Sequence, residues 1–128
     1  MVRDTPADGE RPERARTVYL SMAGSEYTLA IALSRLGIPG SYITRVPDNP
    51  YGRAQRNIAR EHGLSTEHIV WAPKTEPIGR FIYEIGRTPR KNTGVYQRMY
   101  SAASKLDAGM VDWQAALKGA RLFHTSGI

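Results

Sequence analysis

The first half of the sequence alternates between strand-like and helix-like hydrophobic patterns. Short runs rich in β-branched and aromatic residues predict strands at residues 17–21, 40–46 and 68–72. Helical spacing of apolar residues predicts helices between these strands, at residues 25–36 and 53–62. The order strand, helix, strand, helix, strand is typical of a parallel sheet with right-handed crossovers. We therefore expect an α/β fold.

The segment between Gly24 and Gly37 is the centre of this predicted fold. Its helix is apolar on nearly every side, so we expect it to be buried against the sheet. Gly24 stands just before the helix, where a residue without a side chain lets the backbone approach a ligand closely. The free N–H groups and the positive dipole end of such a helix attract polar ligands. A purely structural role, in which Gly24 turns the chain and Ser25 caps the helix, remains open.

The second half of the chain changes to a period-two pattern. Residues 79–85 and 94–100 both alternate, and a basic loop containing glycine and proline joins them, which predicts a β-hairpin attached to the α/β unit. Tyr96, Arg98 and Tyr100 are expected on one face of the second strand, because successive side chains point to opposite faces. That face would offer two aromatic rings beside a guanidinium. Stabilisation of the hairpin by cross-strand aromatic pairs is the alternative role of these rings.

The two ends of the chain carry weaker patterns. Residues 1–16 are charged, contain proline and have almost no large apolar side chains, so we expect a flexible tail. Residues 111–118 predict a short helix, and residues 119–128 predict a strand. No run is apolar and long enough to cross a membrane or to act as a signal peptide, so the expected location is the cytoplasm.

Composition limits the chain to one small domain without disulfides, because it has 128 residues and no cysteine. The net charge of +6 lies entirely in residues 17–128, since four arginines and four acidic residues balance within residues 1–16. A basic surface suits an anionic partner such as nucleic acid, a phosphate or a carboxylate.

Several functional classes find little support in the sequence. A basic nucleic-acid-binding module would use Arg53, Arg56, Arg60 and the loop 87–91, but aromatic residues are few and no recognised nucleic-acid motif is present, so this alternative is disfavoured. The chain has no phosphate-binding loop, dinucleotide turn or hydrolase elbow. Its three histidines lack metal-ligand spacing, so no metal site is predicted.

Four segments together resemble the ribokinase or PfkB-type carbohydrate kinases, and among these the 2-keto-3-deoxygluconate kinases. The segments are residues 23–30, 48–52, 95–104 and 119–128. The resemblance covers about residues 17–128 and implies a ribokinase-like α/β fold, a partial parallel sheet with flanking helices and a projecting β-hairpin lid at about residues 78–100. Because such kinases are much longer than this chain, it also implies an N-terminal fragment.

The resemblance further implies a site for the acceptor sugar at the start of the first helix. Gly24 matches the glycine whose backbone touches the sugar. Ser25 and Thr28 belong to the same helix start, and Thr28 occupies a position usually held by asparagine.

The lid residues complete this implied site. Tyr96 and Arg98 match a tyrosine and an arginine that contact an acid sugar, and Phe81 stands where many relatives have a tyrosine. The chemistry of these side chains is consistent with the resemblance, because the planar fork of Arg98 suits a carboxylate and the Tyr96 ring suits an apolar face of the sugar.

The resemblance implies ATP and Mg²⁺ as cofactors of the intact kinase, with their site and the catalytic aspartate in a later part that this chain lacks. Asp48, Asp107 and Asp112 do not follow a glycine-rich turn that opens a helix, so we assign no catalytic residue. We expect no phosphoryl transfer by this chain alone. A non-catalytic remnant and one half of a split kinase are compatible alternatives. The implied partners are a sugar or sugar acid and, through the lid, a second copy of the chain, with no membrane.

Overall fold

The computed structural model describes residues 1–126, which form two separate sheets and three α-helices. The strands are β1 (Val2–Pro6), β2 (Val18–Met22), β3 (Thr44–Pro47), β4 (Ile69–Ala72), β5 (Arg80–Glu84) and β6 (Thr93–Gln97). The helices are α1 (Ser25–Arg35), α2 (Pro50–Glu61) and α3 (Trp113–Leu117). Single 3₁₀ turns occur at Pro12–Arg14, Ala103–Lys105 and Ala108–Met110.

The larger sheet is mixed and has the strand order β2-β1-β5-β6. β1 pairs antiparallel with β2 and parallel with β5, and β5 pairs antiparallel with β6. The smaller sheet consists of β3 and β4, which run parallel. The predicted hairpin is therefore confirmed, but it belongs to a four-stranded sheet and does not project as two strands alone. The α/β class is confirmed as well.

The prediction that residues 1–16 form a flexible tail is wrong for β1. Val2, Asp4 and Pro6 are buried, whereas Arg3 between them is exposed. Burial of Asp4 is possible because Arg80 donates two hydrogen bonds to its carboxylate, at 2.8 Å from Nε and 2.9 Å from Nη2. The composition of the segment hid this strand, because the compensating charge lies on β5, far away in sequence.

The first predicted strand also takes a different place. It corresponds to β2, which we expected in the parallel sheet but which pairs with β1 at the edge of the four-stranded sheet. β1 offers β2 an antiparallel partner, and this pairing satisfies backbone N–H and C=O groups of both strands.

α1 is less buried than its sequence predicts. Tyr27 is the one buried residue of this helix, and it packs with Ala59 and Leu64 in a small core. Leu29 faces solvent, and Leu36, just after the helix, is 77% exposed. The expectation of a buried helix is wrong for this chain because the described residues cover only one side of α1.

α2 begins earlier than predicted because proline is tolerated in the first turn of a helix. The Asn49 side chain caps it by accepting from the N–H groups of Tyr51 (3.0 Å) and Gly52 (3.2 Å). Gly52 lies so close to the end of β3 that an added Cβ would overlap the Pro47 carbonyl oxygen. This glycine therefore fixes how α2 packs on the parallel sheet.

The carboxyl-terminal predictions are met in part. α3 lies within the predicted helix, and the Asp112 carboxylate caps it by accepting from the Ala115 N–H at 3.0 Å. Residues 119–126 belong to no strand, contrary to prediction, because no neighbouring strand within the described part of the chain pairs with them. The last two residues of the predicted strand lie outside the described residues. No helix described over residues 1–126 is both long and apolar enough to span a membrane.

Candidate functional site

One face of the four-stranded sheet carries the predicted lid residues. The strand register places Ser21, Arg3, Phe81 and Tyr96 in one row across β2, β1, β5 and β6. We call the surface formed by these four residues the aromatic face. The Phe81 and Tyr96 rings stack with their centroids 4.4 Å apart and an interplanar angle of 16°. An apolar platform therefore forms on the β5–β6 side of this face.

Arg98 extends the aromatic face beyond the end of β6. Its guanidinium carbon lies 5.0 Å from the centroid of the Tyr96 ring, within the range of a cation–π interaction. Gly79 lies beside it, and a Cβ added there would come within 3.3 Å of the Arg98 Cβ. Tyr96, Arg98 and Met99 help to line a hollow of about 330 Å³ at this edge of the sheet. Tyr100, predicted on the same strand face, instead lies in a turn with φ of 61°, closed by a hydrogen bond of 3.3 Å from the Ser101 N–H to the Arg98 carbonyl.

The start of α1 forms the second part of the candidate site. Gly24 has φ of 150°, a conformation that favours glycine, and it precedes the first helical residue. Its carbonyl accepts from the Thr28 N–H at 2.8 Å, which begins the helical ladder. Ser25 and Thr28 are exposed, and the Ser25 hydroxyl donates to the Glu26 carboxylate at 2.8 Å.

The structure brings the two parts to the same end of one sheet but not into one pocket. Met22, two residues before Gly24, and Gln97, the residue before Arg98, stand in one row across the sheet. β2 and β6 are separated by three strand spacings, or about 14 Å. Reciprocal backbone hydrogen bonds of 2.9 and 3.0 Å between Met1 and Ala23 tie the intervening strand to the start of α1. Gly24 does not line the hollow beside Arg98.

Sequence reasoning missed Glu26, which joins the helix start to the end of the described chain. Its carboxylate accepts from the Ser126 N–H at 2.9 Å and from the Ser126 hydroxyl. These bonds, with those from its own backbone and from Ser25, lower the pKa of Glu26 to about 2 although partial burial opposes the shift. The sequence did hold one signal for Glu26, because an acidic residue in the first turn of a helix interacts favourably with the helix dipole.

Arg45 was also missed, because nothing in its strand pattern marks a buried charge. Its guanidinium donates to both oxygens of Glu76, at 2.7 and 2.9 Å, and to the carbonyl of Ala102 at 3.0 Å. The Ala102 N–H in turn donates to the Pro77 carbonyl at 2.8 Å. Arg45 therefore holds the chain that follows Arg98 against β3.

The basic residues named for nucleic-acid binding are largely engaged within the molecule. Arg53 pairs with Asp48, Arg87 with Asp8 and Arg90 with Glu84. The Arg56 guanidinium lies 5.5 Å from the centroid of the Trp71 ring. These contacts reduce the positive potential on which non-specific nucleic-acid binding depends, and they do not favour that alternative.

The three aspartates considered for catalysis have structural partners. Asp48 pairs with Arg53, Asp107 accepts from the Gly109 N–H at 2.9 Å, and Asp112 caps α3.

The structure is thus an α/β protein with a mixed four-stranded sheet, flanking helices, and a stacked aromatic pair beside a guanidinium at one side of that sheet. The chain belongs to the pfkB family of carbohydrate kinases, whose sequence pattern matches residues 1–128. Among curated proteins, it is 35% identical over 130 residues to a 2-dehydro-3-deoxygalactonokinase of Haloferax volcanii, covering all of this chain and 39% of the relative. It is 29% identical to a 2-dehydro-3-deoxygluconokinase of Thermoproteus tenax, covering 84% of this chain and 33% of that protein.

Solved structures agree with this assignment. The 2-dehydro-3-deoxygluconokinase of Thermotoga maritima superposes with a TM-score of 0.88 at 31% identity, over 94% of this chain and 36% of the other. A sugar kinase of Pyrococcus horikoshii solved in complex with ATP shares the fold, with a TM-score of 0.80 at 16% identity over 89% of this chain and 36% of that one. The chain thus spans less than two-fifths of the length of these relatives.

Proposed function

We propose that this chain is the acceptor-sugar part of a carbohydrate kinase that transfers the γ-phosphate of ATP to a hydroxyl of a 2-keto-3-deoxy sugar acid. The observation that carries the proposal is the Phe81–Tyr96 stack with the Arg98 guanidinium beside it. Family membership gives the class of reaction, and the names of the relatives point to a sugar acid as the acceptor.

Each group of the candidate site suits one part of such a substrate. The Arg98 fork matches the two oxygens of a carboxylate, and the Tyr96 ring offers an apolar face to the carbon chain. The N–H groups at the start of α1, next to Gly24, can donate to keto or hydroxyl oxygens. Fixing the sugar at both ends would hold its reactive hydroxyl in place, and positioning supplies much of the rate enhancement in phosphoryl transfer.

ATP supplies the phosphoryl group in this reaction, and Mg²⁺ would neutralise charge on it. Residues 1–126 contain no group of three or more acidic or histidine side chains that could hold a metal ion. We therefore assign no Mg²⁺ ligand to residues 1–126. The catalytic base and the nucleotide site belong, in this proposal, to sequence that the relatives have and this chain does not span.

The second proposed partner is another copy of the chain. On the face of the four-stranded sheet opposite the aromatic face, Val18, Leu20 and Val95 are about half exposed, at 50%, 46% and 56%. We call these three residues the stripe; they lie on the two edge strands, with Asp4 and Ile82 between Leu20 and Val95 in the register. Exposed apolar residues on one sheet face are typical of a protein–protein interface. Self-association through this stripe would leave the aromatic face free for the sugar.

The test is binding of 2-keto-3-deoxygluconate to the 128-residue chain, measured by isothermal titration calorimetry. We expect Arg98→Gln to weaken binding at least tenfold, because a hydrogen-bonded charge pair with the carboxylate contributes about 1.5–3 kcal/mol. Arg60→Gln is the matched control, since it removes the same charge from the exposed face of α2, and it should change affinity less than twofold.

Two results would count against the proposal. One is the absence of sugar-acid binding by the unaltered chain, and the other is equal affinity for a neutral sugar such as fructose. Salt-sensitive binding of single-stranded DNA in the same assay would instead support the basic binding module.

A further inference from the structure

Arg3 lies on the aromatic face, on the strand next to the one that leads to Gly24. Its strand, β1, separates β2, which leads to Gly24, from β5, which carries Phe81. The register places Arg3 directly opposite Ser21 on one side and Phe81 on the other. The direct line from the start of α1 to Arg98 crosses Met1 and Gly79, and Arg3 lies two residues along β1 from Met1, on the same face.

The Arg3 side chain is exposed and carries a charge without an acidic partner within residues 1–126. Its Nε donates to the Ser21 hydroxyl at 3.2 Å, and its two terminal nitrogens make no other hydrogen bond there. Arg80, the neighbouring arginine on the opposite face, is paired with Asp4. Arg98 likewise has no acidic partner among the described residues.

The spacing of the strands lets one small ligand contact both free arginines. β1 and β6 are two strand spacings, or about 10 Å, apart, and Arg98 lies two residues beyond Tyr96, the residue of β6 in the row of Arg3, so the two backbones are separated by about 12 Å. Both side chains are long, and the Phe81 ring lies on the strand between them. Two like charges on one face favour an anion between them, which would relieve their repulsion.

We infer that Arg3 is a second anion-binding residue of the acceptor site and makes the site select sugar acids over neutral sugars. This inference rests on the proposed function and extends it to a residue outside the predicted set. The Ser21 hydroxyl orients the guanidinium, leaving its terminal N–H groups to bind carboxylate or keto oxygens of the ligand. Arg3 is a binding residue in this scheme and takes no part in proton transfer.

The experiment compares Arg3→Gln, Arg3→Lys and Ser21→Ala with the unaltered 128-residue chain. Calorimetry gives the dissociation constants for 2-keto-3-deoxygluconate and for fructose at two salt concentrations, and thermal unfolding checks that each variant is folded. Arg3→Gln is expected to weaken acid binding about tenfold and to leave fructose binding within twofold. Arg3→Lys should lose less, since it keeps the charge but not the planar fork.

Different results would contradict the proposed function and the role of Arg3. Absence of acid binding by the unaltered chain would overturn the proposed function and this inference with it. Unchanged acid affinity in Arg3→Gln, alongside a loss in Arg98→Gln, would overturn the role of Arg3 alone. So would an equal loss in Ser21→Ala and Arg3→Gln for both sugars, because that pattern would show that Arg3 only holds β2 in place.

Discussion

The Arg45–Glu76 ion pair shows how one buried charge supports the candidate site. The exposed fractions of its two side chains are only 8% and 17%, and the Arg45 Nε is buried without a partner among the described residues. Because the same guanidinium binds the Ala102 carbonyl, loss of Glu76 would loosen the segment after Arg98 as well as unpair a buried charge.

We predict that this pair makes stability depend on pH in the acid range. Hydrogen bonds from Arg45, with its charge, lower the pKa of Glu76 to about 2. A carboxyl whose pKa is lower in the folded state contributes its full stability above its unfolded value, near 4.5, and that contribution is lost as the pH falls towards 2. Urea unfolding between pH 2.5 and 6 measures the effect.

Glu76→Gln should be less stable than the unaltered chain at pH 6 and should show a shallower loss of stability below pH 4.5. The control is Glu67→Gln, an exposed residue that forms no ion pair within residues 1–126, which should keep the original slope. The same dependence of the unfolding free energy on pH in all three proteins would contradict the role given to the Arg45–Glu76 pair.

At the level of elements, the pairing of β5 with β6 builds the aromatic platform. Gly94 on β6 faces the Phe81 ring so closely that an added Cβ would come within 2.5 Å of its Cε2 atom. The absence of a side chain at this position lets the Phe81 ring lie over β6 and stack on Tyr96.

We predict that Gly94→Ala displaces the Phe81 ring and weakens sugar-acid binding several-fold without removing any group that touches the ligand. Overpacking of this kind also costs about 1–3 kcal/mol of stability. The near-ultraviolet circular dichroism of the stacked rings and the calorimetric affinity report the two effects. Gly109→Ala, whose Cβ would meet nothing closer than 3.4 Å, is the matched control. Unchanged aromatic dichroism in Gly94→Ala would show that the position of the Phe81 ring does not depend on this glycine.

The molecule as a whole exposes more apolar surface than its small core explains. Val18, Leu20 and Val95 form the stripe on the four-stranded sheet, and Leu36, Leu122 and Phe123 are exposed elsewhere. Edge strands β2 and β6 add unpaired backbone groups to the same sheet. Association through the sheet would cover the stripe.

We predict that the chain forms a dimer at micromolar concentration and that Leu20→Glu shifts it towards the 14.3 kDa monomer. The charge would have to be buried at the interface, which disfavours association. Sedimentation equilibrium gives the mass. Leu122→Glu is the control for a general gain in solubility, because it changes an exposed leucine outside the sheet. Equal dissociation by both variants would contradict an interface centred on the stripe.

Local patterns in the sequence determined much of this fold. The glycine-bounded helices, the hairpin and strand β4 follow from periodicity and turn chemistry over a few residues, so the chain itself specifies them. The shared face of Tyr96 and Arg98 was also within reach, because alternation along a strand fixes which of its side chains share a face. The register that sets Phe81 opposite Tyr96 was not.

Only the tertiary structure decided what the charged residues do. Val2–Pro6 became a central strand because Arg80 neutralises Asp4, and Arg3 joined the aromatic face because β1 lies between β2 and β5. α1 stayed half exposed because the described chain covers one side of it. Each of these outcomes depends on contacts between residues distant in sequence, and local hydrophobic patterns carry no information about such partners.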